Sequence, residues 1–400
     1  MRRIISVLMT VLLAVSVFSS AVSAGNTNDK TFRFNDGKFR ILMFADTQDD
    51  FILDKATAIY LEDSVKVTKP DLVVIAGDCI SGGSCPTKFL GKMAISGFMK
   101  IFEKLEVPVA IVFGNHDSEG GLTKEEMIAF YETFDCFAGC AGEEMTGCGN
   151  YNIPILASQS DKTAFNLWFT DSLTYNGGDG KDTYPEDPDN GLGGYGCVHK
   201  DQIEWYVKKS NELKAANEGN PVPSLAFQHI VVPEIYGLLE ECEEGTEGSI
   251  ERDGKYYKLP EGTKGKLGES PCPPNYTNGQ IDAMVEQGDV LAMFTGHDHK
   301  NTMEIKYKNI DLVSTPGAGF NSYGDYDRGS RVIDITEDGN YTSRLLRWRE
   351  FYDADNNQQA NDLFTISGNE FSTSEKIPAF FRYFLGLLTG KKINPVITEF

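Results

Sequence analysis

Positive charge is scarce in this chain. Across 400 residues, 37 lysines and arginines face 59 aspartates and glutamates, a formal balance of 37 − 59 = −22. A surface that negative repels nucleic-acid backbones and anionic lipid, which excludes an extended polynucleotide as a partner. Long apolar runs are missing as well. Neither Ile4 to Phe18 nor Ile377 to Leu388 reaches the ~20 residues a membrane-spanning helix needs. No internal repeat is apparent. Paired C-x-x-C spacing is absent from Cys136, Cys140 and Cys148, which argues against a cysteine zinc site there. Histidine is rare, with five in the whole chain.

What is present divides the chain in three. Residues 1–24 read as an export signal: Arg2 and Arg3, then the apolar stretch, then Val22-Ser23-Ala24 as a small-residue cleavage site. This sets the expectation of a secreted or lumenal protein. All eight cysteines follow the signal and their number is even, so disulfides are expected, with Cys79–Cys85 and Cys242–Cys272 as local pairs. Asn275-Tyr276-Thr277 and Asn340-Tyr341-Thr342 match the glycosylation sequon. Residues 37–348 read as one α/β domain. Residues 349–400 form a tail whose apolar segment is expected to dock on that domain, with an interfacial helix ahead of Lys391 and Lys392 as the rival reading.

Within the domain, apolar runs of strand length alternate with helix-length segments. Phe39 to Ala45, Asp71 to Gly77 and Val107 to Phe113 are strands, separated by helices over Asp54 to Val67 and Thr87 to Leu105. That order implies parallel strands in a sheet covered on both faces. Strands at Ala164 to Thr170, Leu225 to His229 and Val290 to Thr295 follow, with a helix from Lys200 to Leu213 and short strands from Met303 onward. Leu239 to Asn278, rich in Gly, Glu, Lys and Pro, reads as an inserted loop.

The strands share one property: each ends in a polar cluster. The first three stop at Asp46-Thr47-Gln48, at Asp78 and at Gly114-Asn115-His116-Asp117; two later ones deliver His229 and Gly296-His297-Asp298-His299. In open α/β sheets that edge is where ligands bind. Gly114 is expected to permit a sharp turn through backbone angles barred to other residues. Four of the five histidines stand at such ends, and His199 is left as an ordinary structural residue. Asp and Asn oxygens mixed with imidazole suit a pair of cations such as Mn, Fe or Zn. A carboxylate shared between two cations offsets their repulsion and lets a water held between them ionise near neutral pH. Such metal also supplies the positive charge that an acidic chain needs to admit a small phosphorylated substrate or a phosphoprotein.

These blocks resemble those of the calcineurin-like metallophosphoesterases: D-x-H, G-D, G-N-H-[DE], a lone H, and G-H-x-H, in that order. The branch it looks most similar to holds certain fungal phosphatases and plant proteins labelled probable inactive purple acid phosphatases, through Tyr195-Gly196, Asp201 to Trp205 and Thr295 to Asn301. The resemblance implies a two-sheet β-sandwich flanked by helices, four layers α/β/β/α. It implies one metal held by Asp46, Gln48, Asp78 and His299, and a second held by Asp78, Asn115, His229 and His297. His116 then protonates the leaving alkoxide or stabilises phosphoryl charge, and Asp117 holds its ring. The implied activity is phosphomonoester hydrolysis, with phosphodiester hydrolysis or binding without turnover as rivals.

Two positions depart from the family pattern. Gln48 stands where histidine is usual, and an amide oxygen is a harder, weaker ligand that shifts preference toward Mn, Fe(II) or Mg over Zn. Ser81 stands where purple members carry tyrosine three residues past the bridging aspartate. The purified protein, loaded with iron, is therefore expected to show no tyrosinate-to-iron absorption band in its visible spectrum; a purple preparation contradicts this alignment.

Overall fold

Runs of β-branched and aromatic residues form the strands, and apolar helix faces cover the sheets they make. A computed structural model describes residues 30–175, 194–325 and 327–351. The expected export signal and the tail beyond residue 351 lie outside the described residues. In chain order the strands are β1 (Phe32–Arg33), β2 (Lys38–Phe44), β3 (Leu72–Ala76), β4 (Val109–Val112), β5 (Tyr151–Leu156), β6 (Thr163–Phe169) and β7 (Ser224–Phe227). Then come β8 (Glu240–Cys242), β9 (Ile250–Arg252), β10 (Lys255–Lys258), β11 (Val290–Thr295), β12 (Glu304–Tyr307), β13 (Ile310–Ser314), β14 (Gly329–Thr336) and β15 (Tyr341–Arg347). The helices are α1 (Lys55–Thr68), α2 (Lys88–Lys104), α3 (Lys124–Tyr131), α4 (Lys200–Ala216), α5 (Gln280–Gln287) and the short α6 (Trp348–Phe351).

Two sheets stack face to face. One is ordered β15-β14-β2-β3-β4 and the other β1-β5-β6-β7-β11-β13-β12. Ile41, Met43, Val74, Ala110 and Val112 of the first sheet meet Ile153, Phe165, Leu167, Leu225, Phe227 and Phe294 of the second in a buried central layer. The other face of the first sheet, including Leu42, Phe44, Val73, Ile75 and Ile111, packs on Tyr60, Leu61, Phe98 and Phe102 of α1 and α2. The outer face of the second sheet packs Trp168, Ala226 and Met293 on Trp205, Tyr206, Ile281 and Met284 of α4 and α5. Strands buried on both faces are why β2, β3 and β4 read as continuous apolar runs instead of alternating ones. The layering is α/β/β/α, as expected.

Strand direction is what matters for function. β2, β3 and β4 pair in parallel, as do β6, β7, β11 and β13. The carboxyl ends of β2, β3 and β4 in one sheet, and of β7 and β11 in the other, open onto one edge of the sandwich.

Two expectations need correction. The segment Leu239 to Asn278 carries a three-stranded antiparallel sheet, β8-β10-β9, in place of an unstructured insertion. Its strands are three or four residues long and rich in exposed charge, so they lack the apolar signal that marks a core strand. None of the eight cysteines is in a disulfide. Cys79 is buried against the Val112 carbonyl, and the Cys272 thiol is turned to the carbonyl of Ser270 in its own loop.

Arg331 of β14 is fully buried and ties the sandwich together near the functional edge. Its guanidinium donates to the carbonyls of Ser314 (2.7 and 3.0 Å) and Thr302 (2.9 Å), to Glu304 (2.6 Å) and to the Ser343 hydroxyl (3.0 Å). Removing one partner of a buried, hydrogen-bonded charge leaves the others unsatisfied. Arg331→Met is therefore expected to lower stability by about 3 kcal/mol in chemical unfolding; a loss under about 1 kcal/mol contradicts this reading.

Candidate metal centre

Each candidate side chain sits a few residues beyond a parallel strand end. Asp46 follows β2, Asp78 follows β3, Asn115 and His116 follow β4, His229 follows β7, and His297 and His299 follow β11. The turns that carry them are strained: Asp46, Gln48, Asp78 and His297 all have positive φ (51°, 36°, 47° and 70°). Such backbone persists only where surrounding contacts over-determine it, and it clusters at functional sites. Here the contacts run between the turns themselves. Asp46 accepts from the His297 amide (3.1 and 3.2 Å), Asp78 accepts from the His116 amide (2.8 Å), and the Gln48 amide donates to the Asp78 carbonyl (2.9 Å).

Gly114 serves this crowding differently from what its sequence context suggests. It does not adopt positive φ; its neighbour across the site, Gly77, does (84°). A Cβ on Gly114 would lie 2.2 Å from the Asp78 carboxylate, so glycine is needed there for close approach.

Asp46, Asp78 and His229 are completely buried, and Asn115, His297 and His299 nearly so. Buried polar atoms in proteins almost always have hydrogen-bond partners. Four here do not: Asp78 Oδ2, Asn115 Oδ1, His229 Nε2 and His297 Nε2. Ligand atoms of Asp78, His229 and His297 all lie within 4.8 Å of one another. His229 Nε2 stands 3.2 Å from Asp78 Oδ2 and 3.9 Å from Asp46 Oδ1, and His299 Nε2 stands 3.3 Å from Asp46 Oδ1. Ligands of one small cation stand roughly 3 to 3.5 Å apart when each bond is near 2.1 Å. Backbone carbonyls fix the rings from behind: His229 Nδ1 bonds Ala76 O (2.9 Å) and His299 Nδ1 bonds Tyr323 O (2.8 Å). With Nδ1 so engaged, Nε2 is the nitrogen offered to a metal.

Electrostatics point the same way. Burial disfavours the His229 cation, but the Asp78 carboxylate outweighs it, with Asp46 behind, and pushes the ring up to about 10. Asp78, although desolvated, is held well below the usual carboxylate range by His229 and His116. The pair attracts positive charge, and a proton on His229 is what a bound cation displaces. His297 is driven the opposite way, by burial and by the His229 charge, and stays neutral as a ligand requires. Asp78, Asn115, His229 and His297 therefore fit a bound metal ion, with Asp46 and His299 paired beside them.

Two expected residues differ in detail. The Gln48 amide oxygen accepts from the Ser322 hydroxyl (2.6 Å), so it is not among the unsatisfied atoms; Ser322 also stands 3.3 Å from His299 Nδ1. Asp117 does not hold the His116 ring. Its carboxylate turns back to accept from the amides of Gly114 (2.7 Å) and Ile80 (3.1 Å), closing the turn. The partner of His116 Nδ1 is Glu119, at 2.8 Å. The sequence signal for it is slight: a carboxylate three residues past the histidine, on a turn. Tyr175, Tyr195 and Tyr323 complete the rim. Tyr195 meets His297 edge-on at 4.4 Å, and Tyr323 stacks on His299 at 4.0 Å. His199 starts α4, where its amide donates to Gln202, away from this group.

The chain is similar to several known proteins. It is 27% identical over 360 residues to probable inactive purple acid phosphatase 14 of Arabidopsis thaliana, covering 82% of each chain. It is 26% identical over 365 residues to probable inactive purple acid phosphatase 29 of the same plant, covering 82% of this chain and 85% of that one. Phosphatase DCR2 of Saccharomyces cerevisiae matches at 24% over 291 residues, 67% of this chain and 45% of that one. Among solved structures, a dimetal phosphatase from Danio rerio overlays with a TM-score of 0.49 at 14% identity, over 77% of this chain and 96% of the other. The family model of the calcineurin-like phosphoesterases matches residues 39–301, which span β2 to the turn after β11 and so hold every residue of the metal centre. The chain belongs to the calcineurin-like phosphoesterases.

Proposed function

We propose that the chain hydrolyses phosphomonoesters with two metal ions held by Asp46, Asp78, Asn115, His229, His297 and His299. The observation that carries this reading is the convergence of buried ligand atoms of Asp78, His229 and His297 within 4.8 Å of one another, with Asn115 Oδ1 also buried and without a partner. Two divalent cations bound there supply an ionised water as nucleophile and neutralise the phosphoryl oxygens. The protein's own part is to hold the ligands in place before substrate arrives. Asp78 is held for this, with Oδ2 facing His229 and Oδ1 accepting from the His116 amide. His116 is half-exposed at the mouth and is the group placed to give a proton to the departing alkoxide.

Gln48 bears on how well the first metal is held. Its oxygen is shared with Ser322, so it offers a weaker hold than a histidine nitrogen would. This favours Mn or Fe over Zn and supports a second reading, binding with little turnover. The label "probable inactive" on the plant relatives accords with that second reading. The intact remainder of the ligand set favours catalysis. A secreted or lumenal setting accords with residues 1–24.

Aryl and bis-aryl phosphate hydrolysis, each assayed with added Mn, Fe and Zn beside metal analysis, tests the proposal. Monoester turnover that Asp78→Asn abolishes, with metal content falling in step, is expected. Diester preference moves the assignment to a phosphodiesterase, and bound metal without turnover of either ester leaves the binding reading. Gln48→His is expected to raise zinc bound per chain at equal free zinc; unchanged binding shows that Gln48 does not belong to the metal shell.

A further inference from the structure

The turn after β4 carries a hydrogen-bonded chain that links a metal ligand to the candidate acid. Asn115 Nδ2 donates to the Tyr175 hydroxyl (3.0 Å), and that hydroxyl donates to Glu119 Oε1 (3.3 Å). The other oxygen, Glu119 Oε2, faces His116 Nδ1 at 2.8 Å. Every donor in this sequence has one direction available. A carboxylate only accepts, so the tyrosine must donate to it, and the amide must then donate to the tyrosine. The amide nitrogen of Asn115 is thereby fixed outward and its oxygen inward, where Asn115 Oδ1 is one of the four unsatisfied atoms. By the same logic His116 keeps a proton on Nδ1 against Glu119, so the proton given to the leaving oxygen is a second one, carried on Nε2 of the imidazolium, and the ring returns to its neutral Nδ1–H form as that proton leaves.

The backbone beneath is rigid. The Gly82 amide donates to the His116 carbonyl (3.0 Å) and the Gly121 amide to the Cys85 carbonyl (3.0 Å). A Cβ on Gly82 would lie 2.3 Å from the His116 carbonyl, and one on Gly120 would lie 2.3 Å from the Gly82 carbonyl. The turn bearing Glu119 is thus pressed against the loop that follows Asp78. A stack of Tyr175 on Tyr195, 5.4 Å between rings, braces the hydroxyl from the other side, and Tyr195 in turn touches His297.

We infer that Glu119 is the positioning residue for His116, and that Tyr175 couples it to the metal ligand Asn115. This rests on the proposed phosphomonoesterase reading. Glu119 holds the ring so that Nε2 meets the leaving oxygen, and one carboxylate registers acid and metal ligand against each other.

The test compares the full chain with Glu119→Ala and Glu119→Gln on two phosphomonoesters, one releasing an alcohol and one releasing nitrophenolate. An alcohol needs a proton as it leaves and nitrophenolate scarcely does, so a misplaced acid shows as a split between them. Glu119→Ala is expected to lower the kcat ratio of alkyl to aryl ester by about tenfold or more, with metal per chain unchanged. Glu119→Gln, whose amide oxygen still accepts from Nδ1, is expected to recover most of that ratio. Equal losses on both esters, or no recovery in Glu119→Gln, overturn the inference. A second readout needs no turnover: 15N spectra of the five ring pairs in the zinc-loaded chain, at a pH where His116 is neutral, with its signal assigned by His116→Asn. The inference predicts an Nδ1–H ring in the parent that loses this preference in Glu119→Ala, even if neither ester is hydrolysed and the phosphatase reading fails. A His116 spectrum that Glu119→Ala leaves unchanged overturns it.

Discussion

Everything in this fold turns on the cost of burying ligand atoms that nothing in the protein satisfies. Asn115 Oδ1 and His297 Nε2 have no partner, and Asp78 Oδ2 and His229 Nε2 have only each other, 3.2 Å apart; a buried polar atom left without a partner costs about 1–3 kcal/mol. The sandwich tolerates that penalty because its two parallel strand sets end at one edge. The tight Gly77 and Gly114 turns then leave the ligands no alternative direction. Strain in the backbone at Asp46, Gln48, Asp78 and His297 belongs to the same arrangement. A cation relieves the penalty by giving each orphan atom a partner, and it takes the place of the proton that His229 otherwise carries between two carboxylates.

The layers behind the site explain its rigidity. The central apolar layer locks the two sheets in register, and Arg331 fastens β14 to the carbonyls of Thr302 and Ser314, just beyond the His297–His299 turn. Loops after β13 close the remaining side: the Gly319 amide donates to the Asp46 carbonyl, and His299 is held by Tyr323 O from behind. Ligands on opposite sheets are thereby fixed relative to one another through the packed layer between their strands and the bond from the His297 amide to Asp46.

Much of this was legible from residue order. Apolar runs that stop abruptly at Asp, Asn or His give both the parallel strands and the ligands, because a strand buried on both faces carries few other polar residues. Less legible were features whose signal is weak or ambiguous. The β8-β10-β9 sheet is short and charged, and β5 contains Pro154, which disguises an antiparallel strand. A marker for α3 does stand in the sequence: Thr123 and Glu126 form a capping box at its start. Asp117 was the natural candidate to orient His116, being adjacent, yet adjacency in a turn points two side chains apart. Glu119, three residues on, comes back beside the ring. Even cysteine count suggested pairing, but count says nothing about which thiols face one another, and none do so as a disulfide here.

The most direct test is where cations bind. Anomalous diffraction from crystals grown with manganese is predicted to show two peaks flanking Asp78, one within bonding distance of Asn115, His229 and His297 and the other of Asp46 and His299. Manganese bound elsewhere, with Asp78 Oδ2 and His229 Nε2 still bare, contradicts the account.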